Sequence, residues 1–154
     1  MTHHLAQINV GRVLYPLDDP RMAGFMTQLD PVNAIADRSP GFVWRLQSAS
    51  GNATDIAFNE DPAMHINMSV WESLEALRDF TYRAHHLEVF RDRAKWFEKL
   101  DKSSYCLWWI PIGHIPTVPE GRERIEHFWA NGATPFSFWF AQPFPQPQLV
   151  ESAT

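Results

Sequence analysis

The chain changes period between His65 and Leu77. His65-Ile-Asn-Met-Ser-Val-Trp71 alternates polar and apolar residues, and Glu72-Ser-Leu-Glu-Ala-Leu77 continues at once with helical spacing. A period of two reads as a strand, whose successive side chains point to opposite faces. His65, Asn67, Ser69 and Trp71 are therefore expected on one face, and Met64, Ile66, Met68 and Val70 on the other. Four groups able to hydrogen-bond, lined up on a strand that should be central, are costly unless water or a ligand satisfies them. The pattern predicts the wall of a pocket.

The same reading places the other elements. Leu5-Ala-Gln-Ile-Asn-Val10 alternates and predicts a first strand, with Ala6, Ile8 and Val10 on one side and Leu5, Gln7 and Asn9 on the other. Asp18-Asp-Pro20 opens a helix carrying Phe25, Leu29, Val32 and Ala36, with a break expected near Asp30 because Pro31 lacks a backbone donor. Phe42 to Gln47 predicts a second strand. A long polar connection then leads to the strand at His65. Helix follows from Glu72 to about Glu98 in two pieces, striped first by Leu74, Leu77 and Phe80, then by Leu87, Phe90, Ala94 and Phe97. Tyr105-Cys-Leu-Trp-Trp-Ile110 is a nearly all-apolar fourth strand, the pattern of a strand covered on both faces. Pro119 to Trp129 reads as a helix stopped by Asn131-Gly132, and Phe136 to Phe140 as a short fifth strand. The Pro-x-Pro-x-Pro tail from Pro143 is expected to be extended or disordered.

The order is βαββαβ followed by an extra αβ. Two strand–helix–strand crossovers joined by a hairpin give an α+β, ferredoxin-like sheet with helices on one face. Its other face is too apolar to stand in water, so a partner sheet is expected, most simply in a symmetric homodimer. Residues 1–142 form one domain on this reading and 143–154 a Pro-rich tail.

Composition narrows the functions. Eleven Phe and seven Trp make the chain strongly aromatic, which suits a large-residue core, a subunit interface or a pocket for a flat apolar ligand. A net charge of −5 without a basic run argues against nucleic acid. The densest basic patch, Arg91 to Lys95, is broken by Asp92 and reads as a solvated helix face. A single cysteine, Cys106, excludes an internal disulfide and any multi-cysteine zinc site. The N-terminus lacks a signal-peptide pattern and no apolar run approaches the ~20 residues that span a bilayer. A soluble, cytoplasmic protein with no membrane partner is the expectation.

Several segments together resemble the DUF3291 family of the dimeric α/β-barrel superfamily, which includes antibiotic-biosynthesis-type and haem-degrading monooxygenases. They are Leu5 to Val10, Asp30-Pro-Val-Asn33, Ser39 to Leu46, Met68 to Leu77, Tyr82-Arg83 with His86, Lys95 to Glu98, and Leu107-Trp-Trp-Ile-Pro111 with Gly113-His114. The resemblance spans roughly residues 5–140. It implies a homodimer with a pocket in each subunit between sheet and helices, while the family itself has no assigned activity.

The resemblance also suggests chemistry. Asn67 and Trp71 are similar in spacing to a pair that cofactor-independent, quinone-forming monooxygenases of the superfamily use to hold substrate oxygens and stabilise an anion facing O₂. Neutral donors placed where negative charge develops would do this without reorganising. Those enzymes place a Tyr shortly after the Trp; here Leu77 and Arg78 stand near that position. His86 matches a pocket-facing histidine of the superfamily and is the expected base. Gln7, Asn9, Arg45, His65 and Tyr82 are expected to position substrate, with Arg45 either binding a carboxylate or pairing with an acid. His114 is a further candidate.

No Gly-rich phosphate loop or nucleophilic-serine elbow is present, and His85-His86 with Glu88 is too compact for a zinc pattern. No cofactor is called for, with haem on a helix histidine such as His86 as the minority reading. The resulting expectation is a small enzyme acting on an aromatic or polyketide-like molecule, most plausibly a cofactor-independent monooxygenase-like oxidoreductase. The alternative is a non-catalytic ligand-binding or stress-response barrel.

Overall fold

The computed structural model describes residues 2–84, 86–87 and 91–147. Strands β1 (His3–Arg12), β2 (Phe42–Arg45), β3 (Met64–Trp71) and β4 (Tyr105–Pro111) form one antiparallel sheet in the order β2-β3-β1-β4. A split βαβ produces this order: the first crossover leaves a place beside β1 that β3 fills, and the second brings β4 to the other edge of β1. The α+β, ferredoxin-like fold read from the pattern is the one observed.

The alternation partitions the two faces as expected. Ala6, Ile8, Val10, Ile66, Met68, Val70, Cys106, Trp108 and Ile110 are all buried on one of them. Leu5, Trp71 and Leu107 pack on the other, together with Gln7, Asn9, Asn67 and Ser69. Three short helices serve this second face: α1 (Ala23–Met26), α2 (Leu29–Asp37) and α3 (Leu74–Ala84). The break between α1 and α2 falls at Thr27–Gln28, ahead of the expected position near Asp30. Pro31 stands in the first turn of α2, where its missing N–H would have had no intrahelical partner. Ser73 caps α3 by accepting from the Ala76 N–H at 3.0 Å.

Helix α4 (Val118–Asn131) carries the main correction. Thr117 caps it through the Glu120 N–H at 3.2 Å, and Pro119 sits in its first turn. Its residues Ile125 and Phe128 are buried in the Ala6–Ile8–Val10 face, joined there by Phe58 from the long β2–β3 connection. A Cβ on Gly121 would lie 3.0 Å from both Ile8 Cδ1 and Met68 Sδ, so only glycine lets the helix backbone settle so low. The sheet face expected to need a second subunit is covered by the chain's own last helix. The buried-sheet argument for a homodimer therefore loses its premise.

The C-terminal segments also differ in detail. The expected fifth strand reduces to a single bridge, in which Phe138 exchanges backbone hydrogen bonds of 2.7 and 2.9 Å with Leu107. Turns on either side, Thr134 N–H to Ser137 and Gln142 N–H to Trp139, take the backbone groups a longer ladder would need. Residues 143–147 run extended along the sheet: the Phe144 carbonyl accepts from Trp109 Nε1 at 2.9 Å, and Gln146 Oε1 accepts from the His3 N–H at 3.3 Å. In the expected second helical piece, Arg93–Lys95 form one 3-10 turn, and residues 88–90 lie outside those described. No described helix is long and apolar enough to cross a membrane.

Because Ile125 is fully buried against the sheet, Ile125→Ala is expected to lower unfolding free energy by about 2–5 kcal/mol in urea titrations. A loss below ~1 kcal/mol would mean that α4 does not seat on this face.

Candidate functional site

A cavity of about 500 Å³ lies between the second sheet face and the helices α2 and α3. That is within the range of small-molecule sites. Its floor is the β1–β3 ladder, in which Leu5 pairs with Trp71, Gln7 with Ser69, Asn9 with Asn67 and Gly11 with His65. Its roof is mainly apolar, with Leu29, Val32 and Ala36 from α2 and Leu77, Phe80 and Ala84 from α3, and with Asn33 and Thr81 as its polar members.

The floor holds a connected polar network. Gln7 Nε2 donates to Asn67 Oδ1 at 2.7 Å and to Ser69 Oγ at 2.8 Å, while Trp71 Nε1 donates to Ser69 Oγ at 2.8 Å. Gln7 and Ser69 are buried, and these bonds are what makes their burial tolerable. A hydroxyl has two lone pairs and one hydrogen. Both lone pairs of Ser69 are occupied, so its O–H is left to donate, and no described residue accepts it. The Asn67 amide N–H₂ and the Gln7 carbonyl are likewise without described partners. The wall thus offers a ligand two donors and an acceptor, all neutral. Asn9 stands between Asn67 and Tyr105 in the ladder and has no side-chain hydrogen bond among the described residues.

Trp71 belongs to this wall but its indole N–H is already engaged by Ser69. The ring is 1% exposed, stacked on Phe80 at 5.0 Å and edge-on to Phe42 at 5.5 Å. It closes one end of the cavity and orients Ser69, and has no donor left for a substrate. Burial raises the Tyr105 phenol pKa, and its oxygen accepts from the Phe140 N–H at 3.2 Å, which leaves its hydrogen available.

His65 lines the opposite end, with Nδ1 buried and unpartnered among the described residues. Desolvation lowers its pKa, a backbone contact with Thr54 opposing this, so the ring is neutral at neutral pH. Gly11 faces it across the ladder. A Cβ there would fall 2.7 Å from Phe97 Cδ1, so the absence of a side chain lets the Phe97 ring lie on the strand. Phe25 meets Phe97 edge-on at 5.1 Å and completes this end.

Four of the sequence candidates stand outside the cavity or are engaged at its rim. His86 is exposed, stands edge-on to Tyr82 at 5.3 Å, and does not line the cavity. The last described residue of α3 is Ala84. Tyr82 is 70% exposed on the outer side of α3 and lines only a shallow surface depression. Arg45 lines the cavity rim, but its guanidinium binds Asp37 at 2.7 Å and the Gly51 carbonyl at 2.7 Å, tying β2 to α2 and the following loop. The acid pairing, rather than carboxylate binding, is what the structure shows. His114 is away from the cavity, bound to Glu120 at 2.7 Å.

The sequence reading also missed residues. Ser69 lay on the marked face and was passed over as a functional group, although its register opposite Gln7 makes it the hub of the network. Tyr105 was absorbed into an apolar strand. Arg93, assigned to a solvated helix face, lines the cavity instead, because the chain around it forms a 3-10 turn and helical spacing does not apply. Among the described residues no three His, Cys, Asp or Glu side chains cluster as a metal site would need.

The His65 environment has a measurable consequence. Its stabilising neutrality is complete above the ordinary value of 6.5 and is lost as pH falls from there toward the lowered folded value, since the unfolded imidazole binds a proton that the buried one refuses. Urea midpoints at pH 7.5 and pH 5.0 are expected to fall more in the wild type than in His65→Gln. Equal falls would mean that the ring is solvated.

Among curated proteins nothing matches the chain. Several solved structures are loosely similar, among them the following. The cofactor-independent oxygenase SnoaB from Streptomyces nogalater aligns with TM-score 0.41 and 20% identity over 76% of this chain and 98% of its own. A mutant of it gives 0.44 and 17% over 74% and 98%. A protein of unknown function from Nitrosomonas europaea gives 0.44 and 7% over 75% and 95%. At these values no residue or activity is carried over. The family profile described as "Domain of unknown function (DUF3291)" matches residues 4–154, nearly the whole sequence. The chain belongs to the DUF3291 family.

Proposed function

We propose that this protein binds a flat, largely apolar aromatic molecule in the sheet–helix cavity and oxidises it without a cofactor. The observation that carries the reading is the floor of neutral hydrogen-bonding groups under an apolar roof, in which Ser69 and Asn67 have donors to spare. Such donors hold a phenolic oxygen and stabilise the anion formed when the substrate loses a proton. His65, the cavity's neutral imidazole, is the group assigned to take that proton. The substrate this requires is anthrone-like, with a ring CH₂ whose deprotonation gives a carbanion delocalised onto the bound oxygen. That carbon bonds O₂, takes the proton back as a hydroperoxide, and loses its second hydrogen with hydroxide as water, so that the O–O bond breaks and a carbonyl remains. In this scheme Asn67 keeps the role suggested by its resemblance, Ser69 replaces Trp71 as the second donor, and Gln7 and Asn9 position the ligand.

A second reading, of a binding protein without turnover, is favoured by the engagement of the Trp71 indole N–H and by the position of His86 outside the cavity. Oxygen uptake with anthrone-type phenols, measured beside tryptophan-fluorescence binding, separates the two. Uptake in the wild type is expected to drop about a hundredfold in Asn67→Ala, with Ser69→Ala also impaired. Turnover unchanged in both variants removes the floor from the mechanism. Binding without any uptake decides for the second reading.

A further inference from the structure

The charge pattern of the cavity points to one feature of its ligand. The chain carries 18 acidic residues and a net charge of −5, yet among the described residues no Asp or Glu lines the cavity. Two arginines do. Arg45 is matched by Asp37 and the Gly51 carbonyl. Arg93 has no acid partner among the described residues, and three described carboxylates of this region are engaged elsewhere. Asp92 pairs with Lys95 at 3.4 Å, and Glu98 and Asp61 both pair with Arg12, at 3.4 and 3.0 Å.

We infer that Arg93 is an anion-binding residue of this cavity, and that the ligand is a carboxylic acid with a flat apolar body whose carboxylate meets the Arg93 guanidinium. The inference rests on the cavity being a ligand site, as proposed above, but not on catalysis. The guanidinium lies over the Phe97 ring, with Cζ 5.4 Å from its centroid. Phe97 is itself held down on Gly11 and edge-on to Phe25. The cation is therefore supported on a packed aromatic surface, a face that arginine favours. Burial lowers its pKa, with no compensating charge to raise it. An arginine cannot escape desolvation by losing its proton, so an anion beside it is favoured. A carboxylate answers both oxygens to the fork of N–H donors.

This end of the cavity is distinct from the Ser69–Trp71 end. Gly11 and His65 pair at the far end of the same ladder, three pairs' alternation away from Leu5 and Trp71. A ligand bound this way has its acid group at Arg93 and its uncharged oxygen at the neutral donors, with the apolar body under α2 and α3.

The test is calorimetric binding of naphthalene, biphenyl and anthracene carboxylates, each against its own primary amide. In the wild type the acids are expected to bind about tenfold tighter than the amides or better, as for a charged hydrogen bond. Arg93→Gln should weaken acid binding about tenfold and bring acid and amide to comparable affinity, with an unchanged far-UV circular dichroism spectrum showing that the variant folds. Arg93→Lys, a point charge without the fork, should keep part of the preference. If acids and amides bind the wild type equally, or if Arg93→Gln keeps the preference, the inference fails and the cavity reading stands. If neither class binds, the cavity reading itself falls, and the inference with it.

Discussion

The antiparallel register of β1 against β3 is fixed by two buried faces at once. Slipping either strand by one residue would turn Ala6, Ile8 and Val10 toward the cavity and drive Gln7 and Asn9 under α4. No such slip is tolerable, because it would bury amides without partners and remove the contact that Gly121 permits with Ile8. The register brings Gln7 opposite Ser69, and from that one pairing the hydrogen bonds of the floor follow. The cavity is thus a by-product of core formation: the side of the ladder that carries polar residues is the side the helices cannot close over tightly.

The two faces divide the work of the fold. Under α4 the packing is dense, with Trp108, Met68 and Ile125 fully enclosed. On the other face α2 and α3 are short and bridge a floor of amides and hydroxyls. Aromatic pairs stand at both ends, Trp71 with Phe80 and Phe25 with Phe97, and keep the roof off the floor. Burial of cysteine illustrates the contrast. Cys106 lies on the dense side, where desolvation pushes its thiol far above the usual range and leaves it an inert packing group.

How much of this was legible depended on which physics each feature obeys. Strand alternation is local, so the faces of β1 and β3, the polar stripe and the ferredoxin-like order could all be read from spacing alone. The occupant of the apolar face could not, because α4 and a second subunit satisfy the same hydrophobic requirement, and only tertiary placement chooses between them. The same limit explains the site. His65, Asn67 and Ser69 were visible as a row, but which donors are free depends on pairing with Gln7, a residue 62 positions from Ser69 in sequence. Arg93 reached the cavity against expectation because Arg93–Lys95 form a 3-10 turn, so counting at helical spacing gave the wrong face.

The cover supplied by α4 has a bearing on how the protein would answer to its ligand. Every residue named in the floor, the roof and the two ends comes from a single chain, and the face that a barrel partner would occupy is filled from within. Ligand occupancy and folding are then linked within one molecule, with stabilisation that grows as the logarithm of free ligand over its dissociation constant.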